Sequence, residues 1–241
     1  MNPSVSPKQG GVAPPTPQQC EELERKNDNA RKSIVRRLER KKRKTKADRA
    51  ALKKARGKGM AVSSATSQVP GAGGTFSASS SGVANAQIPN GRVDGGTAEQ
   101  RQGLNKKTRQ SKAKRHDAKK KKSGVLCDQA HVHPGGGKGA HAECKIVNSM
   151  SNKKGTKMRG GSILLNVDWR SSTFDQGEQS GMPCDTCYAM LCHAATECKI
   201  KVFICDKDNK PQELSKEDCA SPDGYEKLCQ RVDGHDTPGR T

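Results

Sequence analysis

SILLNVDWR, residues 162–170, is the stretch on which the fold turns. Ile163, Leu164, Leu165 and Val167 make it a strong strand signal. Upstream, AHAECKIVNSMSN (140–152) is built of helix formers, with Ile146, Val147 and Met150 spaced to share one face. Downstream, MPCDTCYAMLCHAATECK (182–199) starts with a proline where a helix tolerates one and continues as helix. IKVFICDKDN (200–209) is a second clear strand ending in a turn. PQELSKEDCA (211–220) and DGYEKLCQRV (223–232) read as two short helices, before a frayed tail, DGHDTPGRT. GVLCDQAHVH (124–133) suits a short strand or hairpin arm, followed by a loop, HPGGGKG. Strands alternating with helices predict an α/β sandwich.

The remainder of the chain has a different character. Residues 1–123 hold 30 of the 45 lysines and arginines and 9 of the 25 acidic residues, whereas residues 124–241 are nearly neutral. Nine of the ten cysteines, the single tryptophan and both tyrosines lie after residue 123. The expected division is therefore a basic, low-complexity, largely disordered leader (1–123) and one folded domain (124–241). Within the leader, 20–56 reads as an isolated charged helix whose apolar stripe, Ile34, Val35, Leu38 and Leu52, is too thin for a stable core. Residues 57–104, rich in glycine, serine and alanine, read as a linker, and 105–122 as a basic run. These basic blocks suit phosphate contacts as well as they suit a solvated tail. Only Phe76 is interleaved with them, so base stacking by the leader is not expected.

There is no apolar run long enough for a membrane helix and no secretory signal at the N-terminus. Without such a signal, the cysteines are expected as reduced thiols or metal ligands rather than a disulfide framework.

Two pairs stand at predicted helix starts: His141 with Glu143, and Cys184 with Cys187. If the two helices pack side by side on the sheet, one imidazole and two thiolates converge beside a carboxylate. Three such ligands leave zinc one open position, where a bound water has a pKa near about 7. Helix N-termini favour the thiolates, and Glu143 is free to shuttle protons. The pair Cys184–Cys187 alone also fits a redox dithiol. It could instead join Cys192, His193 or Cys198 in a structural zinc site, but one helix would spread those residues round its axis.

His141-Ala142-Glu143 followed by Pro183-Cys184-Asp185-Thr186-Cys187 resembles the H-x-E…P-C-x-x-C signature of zinc-dependent nucleobase deaminases. The resemblance covers roughly residues 124–232. It implies a cytidine-deaminase-like three-layer α/β/α sandwich, with Zn2+ on His141, Cys184 and Cys187. It also implies Glu143 as the catalytic acid and base, protonating the ring nitrogen and then the departing ammonia as cytosine becomes uracil. Small size and a low-complexity leader resemble the deaminases of bacterial polymorphic toxins. That implies a secreted effector without a cleaved signal peptide, acting on DNA or RNA in the target-cell cytoplasm. A cognate immunity protein as partner and a monomeric state follow from the same likeness. Single-stranded DNA is the favoured substrate. The alternatives are a free nucleoside or base deaminase, an adenine-acting enzyme, or a basic nucleic-acid-binding protein with a structural zinc.

Candidate substrate residues are His133, Ala142 and Trp169, the last also suited to core packing. Lys153, Lys154, Lys157 and Arg159 form a basic turn suited to phosphates or to solvent. Cys192, Cys198 and Cys205 are expected as small core residues, Cys144, Cys219 and Cys229 as structural, and His193 at the surface.

Overall fold

A computed structural model describes residues 13–57, 59–88, 123–127, 129–132, 141–151, 153, 157–170 and 179–234. The basic run 105–122, His133 with its glycine-rich loop, Lys154, most of the 171–181 loop and the tail after Gly234 lie outside these residues.

Their elements are α1 (Pro17–Arg40), α2 (Lys46–Arg56), β1 (Val62–Ser67), β2 (Gly74–Ser79), α3 (Gly82–Asn85), β3 (Ser123–Leu126), β4 (Gln129–Val132), α4 (Ala142–Ser151), β5 (Ser162–Arg170), β6 (Gln179–Ser180), α5 (Asp185–Thr196), β7 (Lys201–Cys205), β8 (Pro211–Leu214), α6 (Lys216–Ala220) and α7 (Gly224–Asp233). The main sheet runs β2-β1-β5-β7-β8, with the short β6 paired to the end of β5; β3 and β4 form a separate hairpin. β5 and β7 are parallel, and the other pairs are antiparallel. The mixed α/β expectation is met.

Successive side chains of a strand point to opposite faces. On one face Ile163, Leu165, Val202 and Ile204 pack with Ile146 and Met150 of α4, Met190 and Leu191 of α5, and Leu228 and Val232 of α7. On the other face Leu164, Phe203 and Cys205 meet Cys20 and Leu23 of α1. Helices thus cover both faces of β5 and β7.

The leader expected to be disordered is part of this body over its described residues. β1 and β2, within the expected linker, continue the main sheet beyond β5; β1 lies between β2 and β5. Hydropathy misses VSSATS because its buried side chains are mostly small: Ser63, Ser64 and Ser67 are all buried, and the Ser64 hydroxyl meets the Ser77 hydroxyl at 2.7 Å. The expected single helix over 20–56 is two, and their thin apolar stripe is sufficient because they share it. Ile34 and Leu38 of α1 close on Ala51, Leu52 and Ala55 of α2 in a second small core with Met60 and Val62. The face of α1 toward the sheet is partly polar. Asn27 donates to the carbonyl and side-chain oxygens of Asn166, and buried Arg31 binds the Asp168 carboxylate through Nε (2.9 Å) and Nη2 (2.6 Å). A boundary at 123/124 would cut through β3.

Cysteine usage also departs from expectation. Cys20–Cys205, Cys127–Cys198 and Cys192–Cys219 are disulfides, while Cys144, Cys184, Cys187 and Cys229 are free thiols. The first bond ties α1 to the end of β7; the others hold α5 to the β3–β4 turn and to α6.

PQEL is a strand, not the start of a helix. The Asp206 carboxylate accepts from the Asp208 and Lys210 amides and from the Gln212 side chain, which folds β7 back on β8. Nor is the tail frayed at its start: Asp233 is buried and closes α7.

Candidate metal centre

His141 immediately precedes α4, and its carbonyl accepts the first helical hydrogen bond, from the Lys145 amide at 3.1 Å. Cys184 is the N-cap of α5, and its carbonyl accepts from Tyr188 N at 2.8 Å. Two helix N-termini therefore present their side chains to one point. The His141 Nδ1 lies 3.0 Å from Cys184 Sγ and 3.4 Å from Cys187 Sγ. Ligand atoms of His141, Cys184 and Cys187 all fall within 4.8 Å of one another, a group able to hold a metal ion. Glu143, one residue into α4 and buried, brings Oε2 to 3.5 Å from Cys187 Sγ. The sequence-expected ligands and carboxylate are thus brought together.

Charge in this pocket is strongly coupled. The Cys187 hydrogen bond, outweighing the opposing effect of burial and joined by His141 and Thr186, pulls the Cys184 thiol down to about 3. Burial drives Cys187 the other way, well above an ordinary thiol. The hydrogen bond to Cys184 raises His141. Burial, followed by the Cys184 charge, lifts Glu143 to about 7. A cation held by these groups would need both sulfurs as thiolates and would displace their protons.

The segment entering α5 is pinned by residues that sequence reading did not select. The Asp233 carboxylate accepts from the Ser180 hydroxyl (2.6 Å) and the Gly181 amide (2.8 Å). The Ser180 hydroxyl in turn accepts from the Met182 amide at 3.0 Å. Tyr225 donates to the Pro183 carbonyl at 3.0 Å, and Tyr188 donates to that of Asp218 at 2.9 Å. The Tyr188 and Tyr225 rings meet edge to face with centroids 5.2 Å apart. On the other helix, buried Lys145 donates to the Ser79 carbonyl at 2.6 Å, fixing the start of α4 to the end of β2. None carries a motif; each is recognisable only once the chain is folded.

The remaining candidates are placed as follows. Trp169 stands half-buried at the end of β5 and donates from Nε1 to the Met182 carbonyl at 2.8 Å, two residues before Cys184. The Ala142 side chain is fully buried in the main core. His133 is outside the described residues. Lys153 reaches the Gly73 carbonyl at 2.5 Å and lies 4.8 Å over the Phe76 ring, and Arg159 donates to the carbonyls of Cys127 and Glu197, while Lys157 is exposed. Cys144 faces the main core, its thiol raised by burial. His193 is half-buried rather than at the surface. With Cys127 and Cys198 it makes a second group within 4.8 Å, but those two sulfurs are joined to each other. No family model matches the chain, and no curated protein or solved structure matches it.

Proposed function

We propose that the chain is a zinc-dependent deaminase of the cytidine-deaminase-like superfamily that converts cytosine to uracil in a nucleic acid, with single-stranded DNA the favoured substrate. The observation that carries this reading is the meeting of His141, Cys184, Cys187 and Glu143 at two helix N-termini on one face of the sheet. The donor set fits zinc. Tetrahedral bonds of about 2.0 Å to nitrogen and 2.3 Å to sulfur put those atoms about 3.5 Å apart; His141 Nδ1 is 3.4 Å from Cys187 Sγ, and at 3.0 Å from Cys184 Sγ it would open by about 0.5 Å around the ion. Three protein ligands with a carboxylate beside them are the set an open, catalytic zinc centre uses.

Zinc held there would polarise a water for attack on the base. The chain's own residues do the rest. Water adds its oxygen to C4 of cytosine, the C4–N4 bond breaks, and ammonia leaves. Glu143 takes a proton from the water and passes it to the ring nitrogen N3, then delivers the second proton, from the added hydroxyl, to the departing amine. Glu143 is buried beside Cys187, with Oε2 3.5 Å from its Sγ, within reach of a water held between the ligands. Trp169, fixed through Met182 beside the ligand-bearing turn, offers a ring for an extruded base. Three disulfides accord with a chain that passes through an oxidising compartment, as the toxin likeness, with delivery into a target cell and a cognate immunity protein, would have it.

The test is deamination by the full chain with one equivalent of zinc, offered single-stranded DNA, duplex DNA, RNA and free cytidine. Mass spectrometry scores cytosine-to-uracil and adenine-to-hypoxanthine conversion. Conversion of cytosine in a polymer that disappears in Glu143→Ala is the expected result. Full turnover by Glu143→Ala, or no conversion of any substrate by the zinc-loaded chain, would end the proposal.

A further inference from the structure

The α1–α2 hairpin has its charge on one side and its apolar groups on the other. Between Lys32 and Arg56 there are thirteen lysines and arginines against two acidic residues, Glu39 and Asp48. Both acids are engaged: Asp48 is buried and bound by Lys41, and Glu39 is bound by Arg56. Arg36, Arg37, Arg40, Lys42, Arg43 and Lys46 are all exposed, and none enters an ion pair among the described residues. The first half of α1 differs, because Glu21, Glu22, Glu24 and Asp28 balance it. The positive field is therefore local to the hairpin, and the fold holds it in one rigid shape rather than in a loose tail.

This hairpin reaches the same end of the sheet as the candidate metal centre, from the opposite face. Arg31 anchors it to Asp168, near the end of β5, and to the carbonyls of Ala55 and Met60. The next residue of β5, Trp169, bonds the Met182 carbonyl just before Cys184. Across the sheet, Val62 at the start of β1 pairs with both Asp168 and Ser79, and Ser79 accepts from Lys145 at the start of α4.

We infer that the exposed face of the α1–α2 hairpin is a docking surface for the phosphate backbone of a single-stranded nucleic acid, holding it at the metal-bearing end of the sheet. A membrane surface fits less well. An interfacial helix needs an exposed apolar face, whereas Ile34, Leu38, Ala51, Leu52 and Ala55 are all turned into the hairpin's own core. The basic part of α1, from Lys32 to Arg40, is about 14 Å long and α2 about 16 Å, enough to follow a few successive phosphates. The surface charge carries the phosphate contact, and that the strand is single rests on the proposed function; binding is read separately from deamination.

The test measures binding of fluorescent single-stranded DNA to full-length Glu143→Ala protein across a salt series. It compares that protein with versions carrying Arg40→Gln, Lys42→Gln, Arg43→Gln and Lys46→Gln together, or Arg36→Gln, Arg37→Gln, Lys53→Gln and Lys54→Gln together. These side chains are exposed, so unchanged thermal unfolding serves as the folding control. Each set should reduce the slope of log K against log salt by up to about 3, since each single-strand phosphate contributes about 0.7. Affinity at moderate salt should fall tenfold or more. A slope unchanged in both sets overturns the inference. So does loss of binding only when the lysines and arginines of 105–122 are neutralised, or hairpin-dependent binding to phosphatidylserine vesicles with none to DNA. Failure of deamination with hairpin-dependent binding intact would count against the chemistry and not against this surface.

Discussion

Replacing Arg31 by methionine tests whether the basic leader belongs to the fold. The side chain crosses from α1 to the end of β5, is buried, and places two nitrogens on one oxygen of Asp168, itself 4 % exposed. It also donates to the main-chain carbonyls of Ala55, Met60 and Asp168. Methionine keeps much of the volume but leaves a buried carboxylate without its guanidinium and those carbonyls without this donor. Breaking a buried pair from one side costs about 3–5 kcal/mol. With a urea slope of about 2 kcal/mol per molar, the unfolding midpoint should fall by about 1.5–2.5 M. Equilibrium urea unfolding of the oxidised protein, followed by circular dichroism, reads this directly. Asp168→Asn on top of Arg31→Met should cost less than the two single changes added, because the uncompensated charge is gone. A shift for Arg31→Met equivalent to less than about 1 kcal/mol, the value of an exposed pair, would refute the docking of α1 across the sheet.

Replacing Cys20 and Cys205 by serine opens a loop spanning 185 residues, and by chain entropy should lower stability by up to about 5 kcal/mol, read as a lower melting temperature that dithiothreitol no longer affects as strongly. Gly224→Ala should cost about 3 kcal/mol or more, because a Cβ there would fall 1.7 Å from the Asp218 carbonyl oxygen and 2.8 Å from the Tyr188 hydroxyl; wild-type thermal stability in this variant would contradict the packing of α6 on α7. Burial alone would raise the Asp218 carboxyl, but Arg231 and Ser215 outweigh it and hold it below the usual carboxylate range. Its stabilising contribution is thus complete above the unfolded pKa of about 3.9 and lost as pH falls through the lower folded value. The melting-temperature gap between wild type and Asp218→Asn should therefore narrow between pH 6 and pH 3, and a gap that widens would reverse the sign of the argument.

The elements legible in the sequence are those whose signal is local. SILLNVDWR occupies β5 to the residue, because a continuous apolar run needs no knowledge of its neighbours. The two helix starts were readable from H-x-E and P-C-x-x-C, which carry candidate ligands as well as structure. What stayed hidden depends on contacts distant in sequence. Ser63, Ser64 and Ser67 look like linker, yet β1 lies between β2 and β5 and the fold buries them. Ile34 and Leu38 looked too few until Leu52 and Ala55 joined them. Asp206 turns PQEL into a strand through hydrogen bonds that no helix propensity encodes. Cysteine spacing does not reveal that Cys20 pairs with Cys205, 185 residues away. Asp233 is likewise distant in sequence, by 52 and 53 residues, from the turn it holds. At the metal centre itself, the ligand types were legible, whereas their support was not.

The most direct test of the account is X-ray absorption at the zinc edge on the full-length chain loaded with one equivalent of Zn2+. The account predicts two sulfurs at about 2.3 Å and two nitrogen or oxygen neighbours at about 2.0–2.1 Å, one of them exchangeable. Loss of one sulfur in Cys184→Ser should follow. A shell of three or four sulfurs, or one that Cys184→Ser leaves intact, would contradict an open centre built on His141, Cys184 and Cys187.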